Sequence, residues 1–569
     1  MLRRTLLAAC CVLAVVTSLG GQVSQAPVAD NPLLRAWTTP NGVPPFGEIR
    51  PEHFLPALKE GIAQQRKDID AIVANTAAPT FANTIEAMEN AGELLGRVSP
   101  VFSNLQSSNT NEQLQTINRE VSPLLTALRD DIRLNPGLFA RVKSLWDKRE
   151  SLGLTPVQKR LLDETYKSFV RGGANLNAEQ KTRFRAINTE LSSLGIKFGD
   201  NLLHDTNSYR LVIDREADLK GLPPSVVAAG TEAAKAAGLA GKWVYTLQAP
   251  SIWPFLQYAD NRELRKQILT AYTTRNDHND QYDNKVLLSQ MAALRAERAA
   301  LLGYKTFADF VLEENMAKTP DKVYALLNQV WTPARAMALR EAADQQALMK
   351  TLGETFSLEP WDWRYYQEKV KKARFDLDEQ ALRPYFKLEN VREGAFYVAR
   401  KLYGLTISPR PDLPTYHPEV KAFEVKEADG THVGIYYSDY HPRPGKRVGA
   451  WSSTFRSTRM KDGVRITPVV VNVCNFSRPA GDEPALLSLE EVSTLFHEFG
   501  HALNSLLSKT PYRGLGGFPR DFVEVPSQIM ENWALEPEVL AVYAKHYKTG
   551  EVIPTALVEK IKKSAQFDQ

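Results

Sequence analysis

Residues 497–501 read His-Glu-Phe-Gly-His, and few five-residue patterns restrict a fold so tightly. Imidazoles four residues apart share a face when the backbone is helical, because 3.6 residues per turn stack those positions one above the other. On that face two ring nitrogens can hold one metal ion, with the carboxylate between them set to the side. The surrounding residues ask for the same helix. Ser488 followed by Glu491 is a capping box that starts it. Val492, Leu495, Phe496, Phe499 and Leu503 give it an apolar stripe to bury, and no proline interrupts the motif.

Two histidines do not complete a catalytic zinc site, which takes three protein ligands and leaves a position open. Glu524 is the next candidate. Pro511 and the run Gly514-Leu515-Gly516-Gly517 break the chain before it, so a second helix can fold back on the first. Asp521 and Glu524 read as the start of that second helix, and Pro526 fits its first turn. Spacing alone leaves Glu524 either a helix cap or the third ligand of a His2Glu site. Asp521, Ser527 and Glu531 are close enough in sequence to orient a ligand.

Several stretches together resemble the thimet oligopeptidase family of zinc peptidases, most nearly its bacterial dipeptidyl carboxypeptidase branch. They are His497 to His501, Arg520-Asp521-Phe522-Val523-Glu524 and Pro526-Ser527-Gln528. With them go Asn475-Phe476, Gly481 to Leu487, Lys446-Arg447, Gly449-Ala450-Trp451, Leu382 to Phe386, Met316-Ala317 and Arg171-Gly172-Gly173. The resemblance implies one Zn2+ per chain, held by His497, His501 and Glu524, with Glu498 as general base. It implies a mainly α fold of the gluzincin type: a large two-lobed helical body, a deep substrate channel, and a small β-sheet beside the zinc helix. By the same resemblance the substrates are short unfolded peptides, cut to release C-terminal dipeptides or, alternatively, cut internally. Glu498 then takes the proton of a zinc-activated water and passes it to the leaving amine.

Met1-Leu2-Arg3-Arg4 followed by the apolar run Thr5 to Leu19 is a secretory leader pattern, too short for a stable membrane anchor. We take residues 1–26 as a signal peptide and expect export, to a periplasm rather than to a lipid anchor at Cys10. The chain has three cysteines, and losing Cys10 and Cys11 leaves Cys474 alone, so no intrachain disulfide is expected. Cys474 ends the strand-like run 469–474 and reads as buried filler. The formal net charge of +4 on 569 residues, with both signs interspersed, points to no nucleic acid. A monomer is expected.

Residues 27–400 read as long amphipathic helices, with starts or breaks marked at Thr80, Asn135-Pro136, Thr155-Pro156 and Thr319-Pro320. Residues 401–569 form the catalytic region. In it Phe423-Glu424-Val425 and Val433 to Tyr437 flank Asp429-Gly430 as a β-hairpin, and 448–455 and 464–475 read as further strands. Gly449, Ala450 and Trp451 are either contacts for the substrate backbone or, for the first two, a place of close packing.

Two departures from the family pattern bear on function. Asn504 stands where many relatives carry a histidine. Relatives also continue past the stretch resembling 560–569, with tyrosines and a histidine that bind substrate and stabilise the oxyanion. The chain therefore reads as C-terminally truncated, and a zinc-containing peptide-binding or inactive fragment is the alternative to an enzyme. An intact Glu498 argues for the enzyme, since binding alone does not need it.

Overall fold

The computed structural model describes residues 30–565 and 567. The leader, with Cys10 and Cys11, lies outside the described residues. Helices dominate, and a five-stranded mixed sheet sits in the C-terminal third. The expected helix starts are real elements with identifiable caps. Asn135 and Thr155 accept main-chain N–H groups at the heads of helices Pro136–Asp147 and Pro156–Arg171, and Thr319 precedes Pro320–Thr351. Thr80 caps a π-helical turn, Phe81–Glu86. Among the described residues no helix is long and apolar enough to cross a membrane.

The sheet runs in the order Thr406–Pro409, Lys421–Lys426, His432–Asp439, Val469–Val473, Trp451–Arg456. The hairpin forms across 427–431, and His432–Asp439 then pairs in parallel with Val469–Val473. The single strand expected over 464–475 is two. Val464–Ile466 pairs with Arg459–Lys461 in a separate ribbon, and Val469–Val473 enters the main sheet. Pro468 lies between them and has no N–H to continue a ladder, although its carbonyl accepts the N–H of Ile435 at 3.1 Å.

Both faces of this sheet are covered, which explains the unbroken apolar run Val469-Val470-Val471. Alternate side chains go to opposite cores. Val469, Val471, Val473, Ile435, Tyr437 and Phe455 pack with helices Phe54–Ala74, Glu93–Ser108 and Glu112–Arg133. Val470, Phe423, Val425 and Tyr436 pack instead with helices Leu388–Tyr403 and Leu489–Leu507. The N-terminal helices and the sheet of the C-terminal third thus share one core. Cys474 is fully buried and unpaired in the other, as its position at the end of the strand suggests.

Ties between the halves are also polar. Asp439 is fully buried and accepts from Lys446 (2.8 Å), Arg443 (2.9 Å) and the Tyr416 hydroxyl (2.6 Å). Arg443 reaches on to the Ser108 carbonyl, and Arg447 N–H donates to the Ser107 carbonyl at 2.9 Å. The 440–447 loop is thereby pinned to the end of helix Glu93–Ser108. Helix Pro320–Thr351 contrasts with this packing: Tyr324, Leu326, Leu327, Val330 and Trp331 are each more than half exposed.

Candidate metal centre and active site

Helix Leu489–Leu507 begins as expected, with Ser488 and Glu491 forming the reciprocal capping box. Glu491 does more than cap. One of its oxygens also accepts the N–H of Ser477 at 2.6 Å, fastening the loop after the sheet to the head of the helix. Phe499 points into the sheet-side core against Phe396 and Tyr436, with ring centroids 5.5 and 5.6 Å apart. That anchoring turns His497 and His501 to the opposite, partly open face.

The return helix is short, Val525–Glu531, with Glu524 at its N-cap position and Pro526 in its first turn. Gly500, inside the motif, decides how near it comes. A Cβ there would stand 2.5 Å from the Pro526 carbonyl oxygen and 2.7 Å from Ser527 Cα. With hydrogen in that place the two backbones touch, and Glu524 arrives over the histidines. Its Oε2 lies 3.2 Å from His497 Nε2 and 3.1 Å from His501 Nε2. Among the described residues, these three form the group of His, Cys, Asp or Glu whose donor atoms gather closely enough to share an ion, all within 4.8 Å of one another.

Neighbours set the orientation of these groups. His497 Nδ1 meets Glu531 Oε1 at 2.6 Å, which leaves Nε2 facing Glu524, and Ser493 Oγ donates to the other Glu531 oxygen at 3.2 Å. Ser527 is fully buried, and its hydroxyl donates to Glu524 at 2.8 Å (main-chain oxygen) and 3.1 Å (Oε2). Asp521 differs from both. Its carboxylate takes the N–H groups of Met316 and Ala317 at 2.9 Å each, and among the described residues it bonds to none of the triad. It ties the Glu524 segment to the 315–317 loop, whose Asn315 also accepts the N–H of Arg520 at 2.9 Å.

The protonation tendencies suit a cation. Burial, then His497, push the His501 imidazole toward its neutral form, against the pull of Glu524. Burial pushes the Glu524 carboxyl up, but the Ser527 hydrogen bond and the two imidazoles outweigh it and keep it below its ordinary range. Two imidazole nitrogens and an ionised carboxylate are a donor set for Zn2+. Glu498 is buried, with Oε2 lacking a partner among the described residues. Burial pushes its carboxyl up to about 7; His497 opposes this and Glu524 adds to it. Its main-chain oxygen accepts from Asn472 Nδ2 at 2.8 Å, and Asn472 in turn accepts from the Tyr436 hydroxyl. Asn472 escaped the sequence reading, although one polar residue inside an apolar strand was a usable signal.

Trp451–Arg456 is one of the two edge strands of the sheet. Gly449 has φ +92°, and a Cβ on it would meet nothing within 4 Å. Its glycine therefore answers to backbone conformation rather than close packing. Asn475 Nδ2 donates to the carbonyls of Arg447 (2.9 Å) and Gly449 (2.7 Å) and fixes that turn. Gly449 and Ala450 line a cavity of about 720 Å³ that also reaches Ser493, Thr494 and Glu531. The Trp451 indole packs instead against the core shared with the N-terminal helices. Asn504 lines a separate cavity of about 860 Å³, together with Gly500, Ser452 and Phe518.

Known proteins share this arrangement of sequence. Residues 255–569 match the profile of Peptidase family M3. The chain is 39% identical to the dipeptidyl carboxypeptidase of Escherichia coli (strain K12) over 544 residues, 95% of this chain and 79% of that protein. Oligopeptidase A of Salmonella typhimurium is 35% identical over 93% of the chain and 78% of its own length. Saccharolysin of Saccharomyces cerevisiae is 27% identical over 92% and 75%. With a family profile matched across more than half its length and such relatives aligned across nearly all of it, the protein belongs to peptidase family M3.

Proposed function

We propose that this M3 peptidase is zinc-dependent and releases dipeptides from the C-termini of short peptides. The observation that carries the metal is the convergence of His497, His501 and Glu524, with His497 held from behind by Glu531. Those three side chains would hold the ion. When bound, zinc acts as a Lewis acid toward the scissile carbonyl and makes water acidic enough to lose a proton near neutral pH. Glu498 sits between His497 and His501 in sequence, buried and with one oxygen unpartnered among the described residues. It would accept the water proton and return it to the departing amine, a role that suits a carboxyl pushed up to about 7 by burial. The edge strand, with Gly449 and Ala450 at its head, offers main-chain groups along which an extended peptide can lie.

The 39% identity to a dipeptidyl carboxypeptidase supports the exopeptidase reading, and the 35% identity to oligopeptidase A favours internal cleavage as the second reading. Mass spectrometry of products from blocked pentapeptides and hexapeptides decides between them: loss of C-terminal dipeptides supports the first, scattered internal cuts the second. Cleavage that survives exhaustive chelation would sink the metal assignment. Export directed by residues 1–26 belongs to the same proposal, and sequencing the mature N-terminus from fractionated cells tests it.

A further inference from the structure

The cavity of about 720 Å³ runs from Gly449 and Ala450 past Ser493, Thr494 and Glu531 to Arg383. Glu531, which meets His497 Nδ1 at 2.6 Å, lines this space and places it next to His497, although none of the three triad residues lines it. A second cavity, of about 940 Å³, meets the same arginine. Arg383 is half-buried on the tight turn Arg383–Tyr385. Its Nη1 donates to the Leu486 carbonyl at 3.0 Å, and the Pro384 carbonyl accepts from Tyr547 N–H at 2.9 Å. The turn is thus held on both sides. Its Nε is buried with no acceptor, and no ion pair to Arg383 occurs among the described residues. A guanidinium has five donor hydrogens, and a half-buried one that makes a single hydrogen bond is underused.

Nearby carboxylates do not answer it. Glu368 and Glu379 line the same cavity and each accepts from the Gln257 amide, at 2.9 and 3.0 Å; the second Glu368 oxygen, buried without a partner among the described residues, makes no ion pair with Arg383. Both oxygens of Glu491 serve Ser477 and Ser488. Two other cations line the same cavity: Arg364 is exposed and stacks on Trp253 at 4.4 Å, and Lys371 stands in the field of Glu368. Beside the 860 Å³ cavity, Arg513 stands in the field of Glu89 and Glu93.

We propose that Arg383 receives the C-terminal carboxylate of the peptide, so that the terminal residues fill the 720 Å³ cavity and the bond to be cut lies at the triad. The proposal rests on the peptidase reading above and gives it a specificity element within the described chain. A planar guanidinium matches a carboxylate in two parallel hydrogen bonds. An arginine fixed on the wall of that cavity sets how many residues lie beyond the scissile bond.

The test is calorimetry on the zinc-loaded full chain with a dipeptide and with its C-terminal amide. Wild type is expected to prefer the free acid by roughly ten- to a hundredfold, the range of a charge-assisted hydrogen bond. Arg383→Met should bring the acid-to-amide ratio close to one while leaving the amide's affinity in place. Arg383→Lys should retain part of the preference. An unchanged ratio in a folded, zinc-loaded Arg383→Met protein, or a wild-type ratio near one, overturns the proposal. Chelator-sensitive cleavage of a free-acid pentapeptide by wild type tests the peptidase reading separately. If cleavage is present and the ratio is indifferent to Arg383, the anchor alone is wrong.

Discussion

Glu531 and Asp439 show how single carboxylates serve the site at different distances. Glu531 accepts from His497 and leaves its Nε2 facing Glu524. Partners of this kind typically contribute 10- to 100-fold in metal affinity. Glu531→Ala should therefore weaken zinc binding by about that factor in a competitive chelator titration, with the fold intact by circular dichroism; unchanged affinity would refute the role. Asp439 supports the site through the 440–447 loop. Burial pushes its carboxyl up, but Arg443 and Lys446 outweigh that and hold it below its ordinary range. Burial also pushes Lys446 down to about 8, against the pull of Asp439. Three oxygen acceptors within 3.0 Å of Nζ argue that the ammonium is charged at neutral pH. A folded pKa below the unfolded value of about 3.9 means stability that is complete above that pH and lost as pH falls through the folded value. Lys446→Met should raise the midpoint of acid unfolding, and Asp439→Asn, which strands two buried cations, should cost about 3–5 kcal/mol in denaturant unfolding at neutral pH.

The two helices that bring His497, His501 and Glu524 together depend on a residue that the H-E-x-x-H pattern leaves unspecified. Gly500 admits the backbone of Pro526 and Ser527, and any side chain there must push helix Val525–Glu531 away. Gly500→Ala should lift Glu524 from the histidines and lower zinc affinity at least tenfold, while the far face of Leu489–Leu507 stays packed. Equal zinc affinity in the variant would show that the second helix adjusts without loss. The helix, its cap and its apolar stripe were legible because each rests on residues within one or two turns. Glu524 was legible as a candidate third ligand, and family resemblance added what spacing could not. Asp521, Ser527 and Glu531 looked alike in sequence. They differ because a turn points one carboxylate at the 316–317 loop, while the helix turns the serine to Glu524 and the other carboxylate to His497. No local pattern encodes that divergence.

At the scale of the molecule, alternation in the strands fixes which residues face opposite sides, but which helices cover each side is a long-range fact. Val469 and Val470 are neighbours in sequence and belong to cores built from opposite ends of the chain. Amphipathic periodicity likewise does not reveal coverage, since helix Pro320–Thr351 carries apolar residues that remain exposed. The strand break at Pro468 was readable from the proline itself. The arginine on the wall of the cavity was not, because the emptiness of its surroundings is a property of the assembled walls. The account's central claim is that three side chains hold zinc while a fourth, Glu498, moves the proton. Its most direct test measures zinc content and peptide cleavage on the same preparations of wild type and Glu498→Gln. The account predicts about one zinc per chain in both, chelator-sensitive cleavage by wild type, and turnover reduced by at least a hundredfold in the variant. Substantial turnover by a zinc-loaded Glu498→Gln protein would contradict it.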